Sequence, residues 1–317
     1  MRQLQDSRSL QSLRQPQVVG PTRFKPNNIA PTVPALAASQ SPVIPSDLGP
    51  EIVSQCGKGI CVKNSNWCGV MHSPIRVYLV WYSRFTESQK NVLRTFIRSL
   101  SSTEGTVSAW WRTNTLYYDC SGRYVSSTVI LAGEHHVQRP YKLLWGLGSI
   151  KRVVKKRIKS RAFPLDENAV YFVMGDKSVA QRDSSGAMCS AYCGWHDFVK
   201  IRKKLIKVSY VGSPDKCPSS CWLSAFAFNP SPNKDSSFDS LVSTFAHELA
   251  EATSDPYIST WFDSLGRENA DICAWRTGDL SFTADGAAYN LEGVDGSKFL
   301  VQQNYDPVQR TCVTTTA

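Results

Sequence analysis

The chain has 317 residues, of which 42% are apolar and 20% charged, a balance that suits a globular fold with a sizeable core and excludes a chain disordered throughout. Thirty-six Lys and Arg against 26 Asp and Glu give a net charge of +10, so polyanions are attracted non-specifically, but no nucleic-acid-binding motif accompanies the charge and DNA and RNA are not expected partners. No apolar run of about 18 residues is present, so no membrane-spanning helix is expected.

Residues 1–50 are rich in Gln, Ser and Pro without periodicity and are predicted to form a disordered tail. Their first 30 positions contain no apolar stretch of signal-peptide length. Residues 51–69 are a short linker carrying Cys56, Cys61 and Cys68, and 70–313 reads as one domain. RVYLVWY from Arg76 is a strand. Over 87–100, Val92, Leu93, Phe96, Ile97 and Leu100 recur at helical spacing. SSTVIL from Ser126 is a second strand. His135 and His136 are assigned to a loop, since neighbouring strand side chains face opposite ways and would not share an ion. The run IKRVVKKRIKSR at 150–161 predicts an amphipathic helix with Ile150, Val153, Val154 and Ile158 inward and a basic outer face. AVYFVMG from Ala169, KVSYVG from Lys207 and WLSAFAF from Trp222 are further strands. A helix over 238–253 follows, and loops with short strands close the chain. Trp110 and Trp111 are expected as core anchors rather than a sugar platform.

Ten cysteines point to disulfides in an exported protein, with Cys273 to Cys312 as one late bridge. The rival is a zinc cluster drawn from Cys189-x3-Cys193 and Cys217-x3-Cys221. The missing signal peptide stands against simple export: the true start lies elsewhere, export is unconventional, or the cysteines are reduced. No Asn-x-Ser/Thr acceptor site adds support for secretion.

The run FAHELAEATSDP carries the chemistry. His247 and Glu251 are four residues apart on one helical face, and Glu248 lies beside the ring. That is the layout of a zinc-protease helix, with Glu251 where a second histidine is usual. Asp255, one turn on, can ligate, cap or turn the chain before Pro256. Asp263, Glu268 and Asp271 follow, and Glu268 or Asp271 is the expected third ligand. Zinc is the first expectation, and calcium or magnesium the alternative if carboxylates dominate. As a hydrolase, Glu248 would be the general base, with His196 stabilising the oxyanion or holding a peptide substrate. The plainer alternative is a hydrogen-bonded polar cluster without an ion. The order of strands and helices resembles the N-terminal half of a zincin peptidase, so the fold expected is a single α/β domain, zincin-like, with a twisted mixed sheet packed on helices and cross-linked by disulfides.

VYLVWY, SAWWRT with LYYD, AVYFVMGD, C-x3-CGWH, CPSSCW, AHELAEATSDP and GAAYN-x-EGVDGSKFLVQQNYDP together resemble the EXORDIUM, or phosphate-induced protein 1, family over about residues 70–313. The resemblance implies an extracellular, cell-wall-associated protein linked to growth, with no enzymatic activity to carry over. This chain departs from the family's pattern in its start, in the absence of a signal peptide and in four extra cysteines: Cys56, Cys61, Cys68 and Cys120. Acidic wall polysaccharide is a further candidate partner for the positive charge. Oligomeric state is not legible.

Overall fold

IRVYLVWY is apolar on both faces, which suits a strand covered on either side, and it forms an interior strand of the sheet, one in from the edge. The computed structural model describes residues 23–24, 49–52, 69–137 and 143–315. In chain order the elements are β1 (Arg23–Phe24), β2 (Ile75–Tyr82), α1 (Glu87–Ser99), α2 (Val107–Asn114), β3 (Val129–Val137), β4 (Leu143–Trp145), α3 (Gly146–Lys159), β5 (Ala169–Gly175), β6 (Ala180–Asp183), β7 (Gly186–Ala187), β8 (Gly194–Ile201), β9 (Lys204–Gly212), α4 (Pro218–Cys221), α5 (Ser236–Ser254) and α6 (Asn269–Ile272). Three short hairpins follow, pairing β10 (Ser281–Phe282) with β11 (Ala288–Tyr289), β12 (Leu291–Glu292) with β13 (Lys298–Phe299), and β14 (Asn304–Asp306) with β15 (Thr311–Val313).

The main sheet has the order β1-β8-β9-β5-β2-β3. β3, β2, β5 and β9 run parallel, and β8 pairs antiparallel to β9 through a tight return. Beyond β8, Arg23 and Phe24 pair antiparallel with Trp195 and Gly194. They lie in the stretch expected as a tail; the rest of residues 1–48, and the linker cysteines Cys56, Cys61 and Cys68, lie outside the described residues. Gly49 donates its N–H to Arg310 at 2.8 Å, and Ile52 enters the core.

Alternation along β2 assigns the two faces of the sheet. Ile75, Val77, Leu79 and Trp81 pack with α1, α2 and α5, while Tyr78, Val80 and Tyr82 pack with α3. α1 starts at a capping box: Thr86 Oγ1 accepts from Gln89 N at 3.1 Å, and Gln89 Oε1 accepts from Thr86 N at 2.9 Å. Trp110 and Trp111 are buried anchors, as expected. α3 buries Ile150 and Val154 and leaves its basic face outward.

Two local expectations are corrected. WLSAFAF is not a strand: Ser224–Ala227 forms a 3₁₀ turn, with Phe226 N bonding Leu223 O at 3.0 Å. A short apolar run reads equally as strand or buried turn, and the bridge at Cys221 together with the Ser240 hydroxyl on Leu223 N decides it here. His135 and His136 are not in a loop but extend β3, held in register opposite Val80 and Trp81. His136 bonds the Ser83 carbonyl at 2.7 Å.

The three bridges described are Cys189–Cys217, Cys193–Cys221 and Cys273–Cys312. The first two use the four cysteines of the rival zinc cluster, so that reading gives way to disulfides. They clamp the approach to β8 onto α4. The third, foreseen from the sequence, ties the end of α6 to β15. Cys120 is also disulfide-bonded.

Candidate metal centre

α5 begins where Asp235 accepts from Phe238 N at 2.9 Å, and every residue from Ser237 to Ser254 is buried. A helix buried all round is ordinarily apolar, so the charged residues on this one require partners inside the protein. His247, Glu248 and Glu251 are each 0% exposed. The i,i+4 spacing brings His247 Nε2 to 3.1 Å from Glu251 Oε1, as the motif anticipates.

The opposing wall is β8. Gly194 makes the approach possible, because a Cβ there would meet Glu248 Oε1 and Thr244 Cγ2 at 2.8 Å. Two residues on, His196 points at the helix, with Nδ1 3.5 Å from Glu248 Oε2 and 3.5 Å from Glu251 Oε2. Its Nε2 lies 3.6 Å from Glu268 Oε1. α6 supplies the third side: Asp271 Oδ1 is 3.7 Å from His247 Nε2, and Asp271 N donates to Glu251 Oε1 at 3.0 Å. Asn114 locks α6 to α5, giving its amide to Thr253 Oγ1 at 2.7 Å and accepting from Asn269 at 2.7 Å.

Asp255 is buried and partly used as a cap, since Oδ1 accepts from Ser259 N at 2.7 Å and Thr260 N at 3.1 Å. Asp263 stands outside the cluster, held by Arg267 at 2.7 Å. The structure therefore gathers Glu248, Glu251 and Glu268 around His196 and brings His247 and Asp271 to the other oxygen of Glu251, with Asp255 at the margin. Gln302 was not singled out from the sequence. Its Oε1 meets His247 Nδ1 at 3.0 Å while its Nε2 donates to Ala270 O at 2.8 Å. The amide's orientation makes Oε1 the acceptor, so Nδ1 carries a proton. Desolvation lowers the His247 ring, but Glu251, Glu248 and Asp271 outweigh it and raise the ring to about 9.

These donors fit a cation. Neither ring nitrogen of His196, neither oxygen of Glu248, nor Glu251 Oε2 has a hydrogen-bond partner, although all are buried. Separations of 3.5–3.6 Å are long for hydrogen bonds. Two donors each about 2.0–2.1 Å from a tetrahedral ion stand about 3.3 Å apart, close to what is found. Burial raises the Glu248 carboxyl to about 7 against the pull of both imidazoles. Burial, with Glu251 nearby, likewise raises Asp271 to about 8. For Glu251 burial acts upward, yet His247 and His196 outweigh it and hold it near 2. Desolvation lowers His196, but Glu268, Glu248 and Glu251 carry it well above its ordinary value. Protons and a metal ion would thus compete for the same atoms.

Residues 67–315 match the phosphate-induced protein 1 conserved region. The chain belongs to the phosphate-induced protein 1 family. Among curated relatives of this family it is 32% identical over 276 residues to Protein EXORDIUM-like 3 of Arabidopsis thaliana, covering 77% of this chain and 80% of that protein. Protein EXORDIUM-like 5 of the same plant is 30% identical over 279 residues, covering 76% of this chain and 74% of the relative. Protein PHOSPHATE-INDUCED 1 of Nicotiana tabacum is 28% identical over 281 residues, 77% of this chain and 85% of its own. No solved structure matches. The family region spans β2 to β15 and contains every member of the candidate centre.

Proposed function

We propose that this phosphate-induced protein 1 family member acts outside the cell, in the cell wall, as an EXORDIUM-like regulator of growth, and that the cluster between β8, α5 and α6 binds a divalent cation. The disulfides support an oxidising compartment. The single observation that carries the cation reading is His196, fully buried, with both ring nitrogens lacking hydrogen bonds and three carboxylates at 3.5–3.6 Å. One imidazole with several carboxylates suits zinc first, with calcium or magnesium as the oxygen-preferring alternatives. Four parallel strands, an antiparallel strand and a His-Glu helix beside it support a zincin-like reading of the fold.

A peptidase would need Glu248 as general base and His196 beside an incoming carbonyl. Both are 0% exposed, which supports a structural or regulatory cation over turnover of a peptide. Elemental analysis of purified protein tests the site: metal in proportion to chain, lost in Glu251→Ala, is expected, and no metal in the wild type refutes it. Peptidase activity abolished by Glu248→Ala would restore the hydrolase reading.

A second reading concerns the basic face. A cavity of about 200 Å³ beside α3 is lined by Ser149, Arg152, Lys156 and Arg157 together with Tyr82 and Leu144. It supports a site for acidic wall polysaccharide. Retention on polygalacturonate should fall with salt and in the pair Arg152→Glu with Lys156→Glu; retention indifferent to both sinks it.

A further inference from the structure

The cavity beside α3 lies at the carboxyl ends of two parallel strands: Tyr82 ends β2, Val137 ends β3, and both line it. After β2 the chain builds α1 on one face of the sheet, and after β3 it builds α3 on the other. Crevices between such diverging connections are where open α/β sheets receive ligands. Ser149, Arg152, Lys156 and Arg157 supply the opposite wall, on one side of α3 by their spacing. We propose that this cavity binds a small organic acid, with a carboxylate or phosphate monoester head on an apolar body. This rests on the reading of the cavity as an anion site, and narrows its occupant from a polymer to a small molecule.

The cations on this wall lack counter-charges. Arg76, Arg94, Arg98, Arg123 and Arg267 each hold a carboxylate at 2.6–3.0 Å, whereas among the described residues Arg152, Lys156 and Arg157 make no ion pair. Arg157 Nε is also buried without a hydrogen-bond partner. A buried donor left unsatisfied is costly, so this one calls for an acceptor from outside the chain. Its charge is felt nearby: burial and then Arg157 hold the His135 ring below its ordinary value. A guanidinium offers its N–H groups as a planar fork that matches the oxygens of a carboxylate or a phosphate.

The remaining lining selects the body of the ligand. Leu144 and Tyr82, 1% and 2% exposed, close the floor, and Leu143 and Val153 add apolar surface. No carboxylate or amide side chain lines the cavity, and Ser149 Oγ already accepts the Trp145 N–H at 2.9 Å. A sugar acid brings several hydroxyl protons that need acceptors, while the charged groups here only donate. A ligand that accepts at one end and is apolar at the other leaves no buried polar group unpaired. The space of about 200 Å³ is also smaller than the roughly 300–1,000 Å³ of sites for drug-sized ligands, and its closed floor leaves no path for a polymer to run through.

Calorimetric titration of the full-length protein with naphthoate, naphthyl phosphate, galacturonate and the neutral naphthylmethanol tests the assignment. Naphthoate or naphthyl phosphate should bind once per chain, with galacturonate and naphthylmethanol weaker by about 10-fold or more. Arg157→Gln should weaken the bound acid by about 10-fold or more through loss of charge-assisted hydrogen bonds. Val153→Phe fills the cavity and keeps every cation, so it should abolish binding of the acid while retention on polygalacturonate persists. Added salt should release the polymer before the small acid, whose charged partner is partly buried. Polymer retention without binding of either naphthyl acid overturns the small-acid site and leaves the polysaccharide reading standing. Binding of a naphthyl acid without polymer retention supports the small-acid site and removes the polysaccharide reading. Galacturonate as tight as naphthoate, or acid binding that survives both substitutions, also overturns the small-acid site. Should a variant fail to fold, the ranking of the probes on the wild type decides alone.

Discussion

Replacing Gln302 with leucine isolates the contact that orients His247. Gln302 Oε1 takes the Nδ1 proton at 3.0 Å, and its amide donates to Ala270 O at 2.8 Å. Leucine fills comparable space and removes both bonds, together with a third from Nε2 to Gln303 O at 3.3 Å. A buried N–H deprived of its acceptor costs about 1–3 kcal/mol. Ala270 O keeps the Cys273 N–H at 3.2 Å, so its loss adds less. Stability should fall by about 1–3 kcal/mol in urea melts of the metal-stripped protein. Freed of Gln302, the ring can place its proton on Nε2, the atom that faces Glu251 and Asp271. Affinity for Zn²⁺ should then drop about 10–100-fold, as for loss of an outer hydrogen bond to a ligand histidine. Competition against a chromophoric chelator reads the affinity. Unchanged affinity together with an unchanged melt refutes the assignment of Gln302 as the orienting group.

Gly194→Ala should destabilise the protein by about 1–3 kcal/mol through overpacking, since the added methyl meets Glu248 and Thr244 at 2.8 Å; a wild-type melting temperature would show that α5 can yield there. Opening the bridge between Cys273 and Cys312 with a double serine variant should cost about 4 kcal/mol by loop entropy and loosen α6, which chelator competition would register as weaker metal retention. Burial lifts the Asp239 carboxyl from 3.8 to about 6. Because the folded state then binds its proton more tightly than the unfolded chain, its contribution to stability is complete below about pH 4 and is lost as pH rises toward 6. The urea midpoint of Asp239→Asn should therefore fall less steeply than that of wild type across that window, and parallel profiles would count against the shift.

α5 was legible because its signals are local. The i,i+4 pair His247 and Glu251 lies within little more than one turn. Glu268 and Asp271 were reachable because they follow closely on the same segment. The buried parallel strands β2, β5 and β9 announced themselves as apolar runs, and the pairing of Cys273 with Cys312 was foreseen. The errors fell where local signals tie. An alternating run after Trp222 became a turn because a bridge and a helix hydroxyl hold it, and His135 with His136 became strand because β2 offered a parallel edge to extend.

Spacing along one helix thus determined that an imidazole and a carboxylate would meet, since helical geometry depends only on near neighbours. Which groups face them was decided by packing. His196 arrives from a strand about 50 residues earlier, where Gly194 lets sheet and helix close to contact, and Gln302 arrives 55 residues later, carried in behind α6. Side chains so far apart in the chain are brought together only by burial of the surfaces between them, and no local periodicity encodes that.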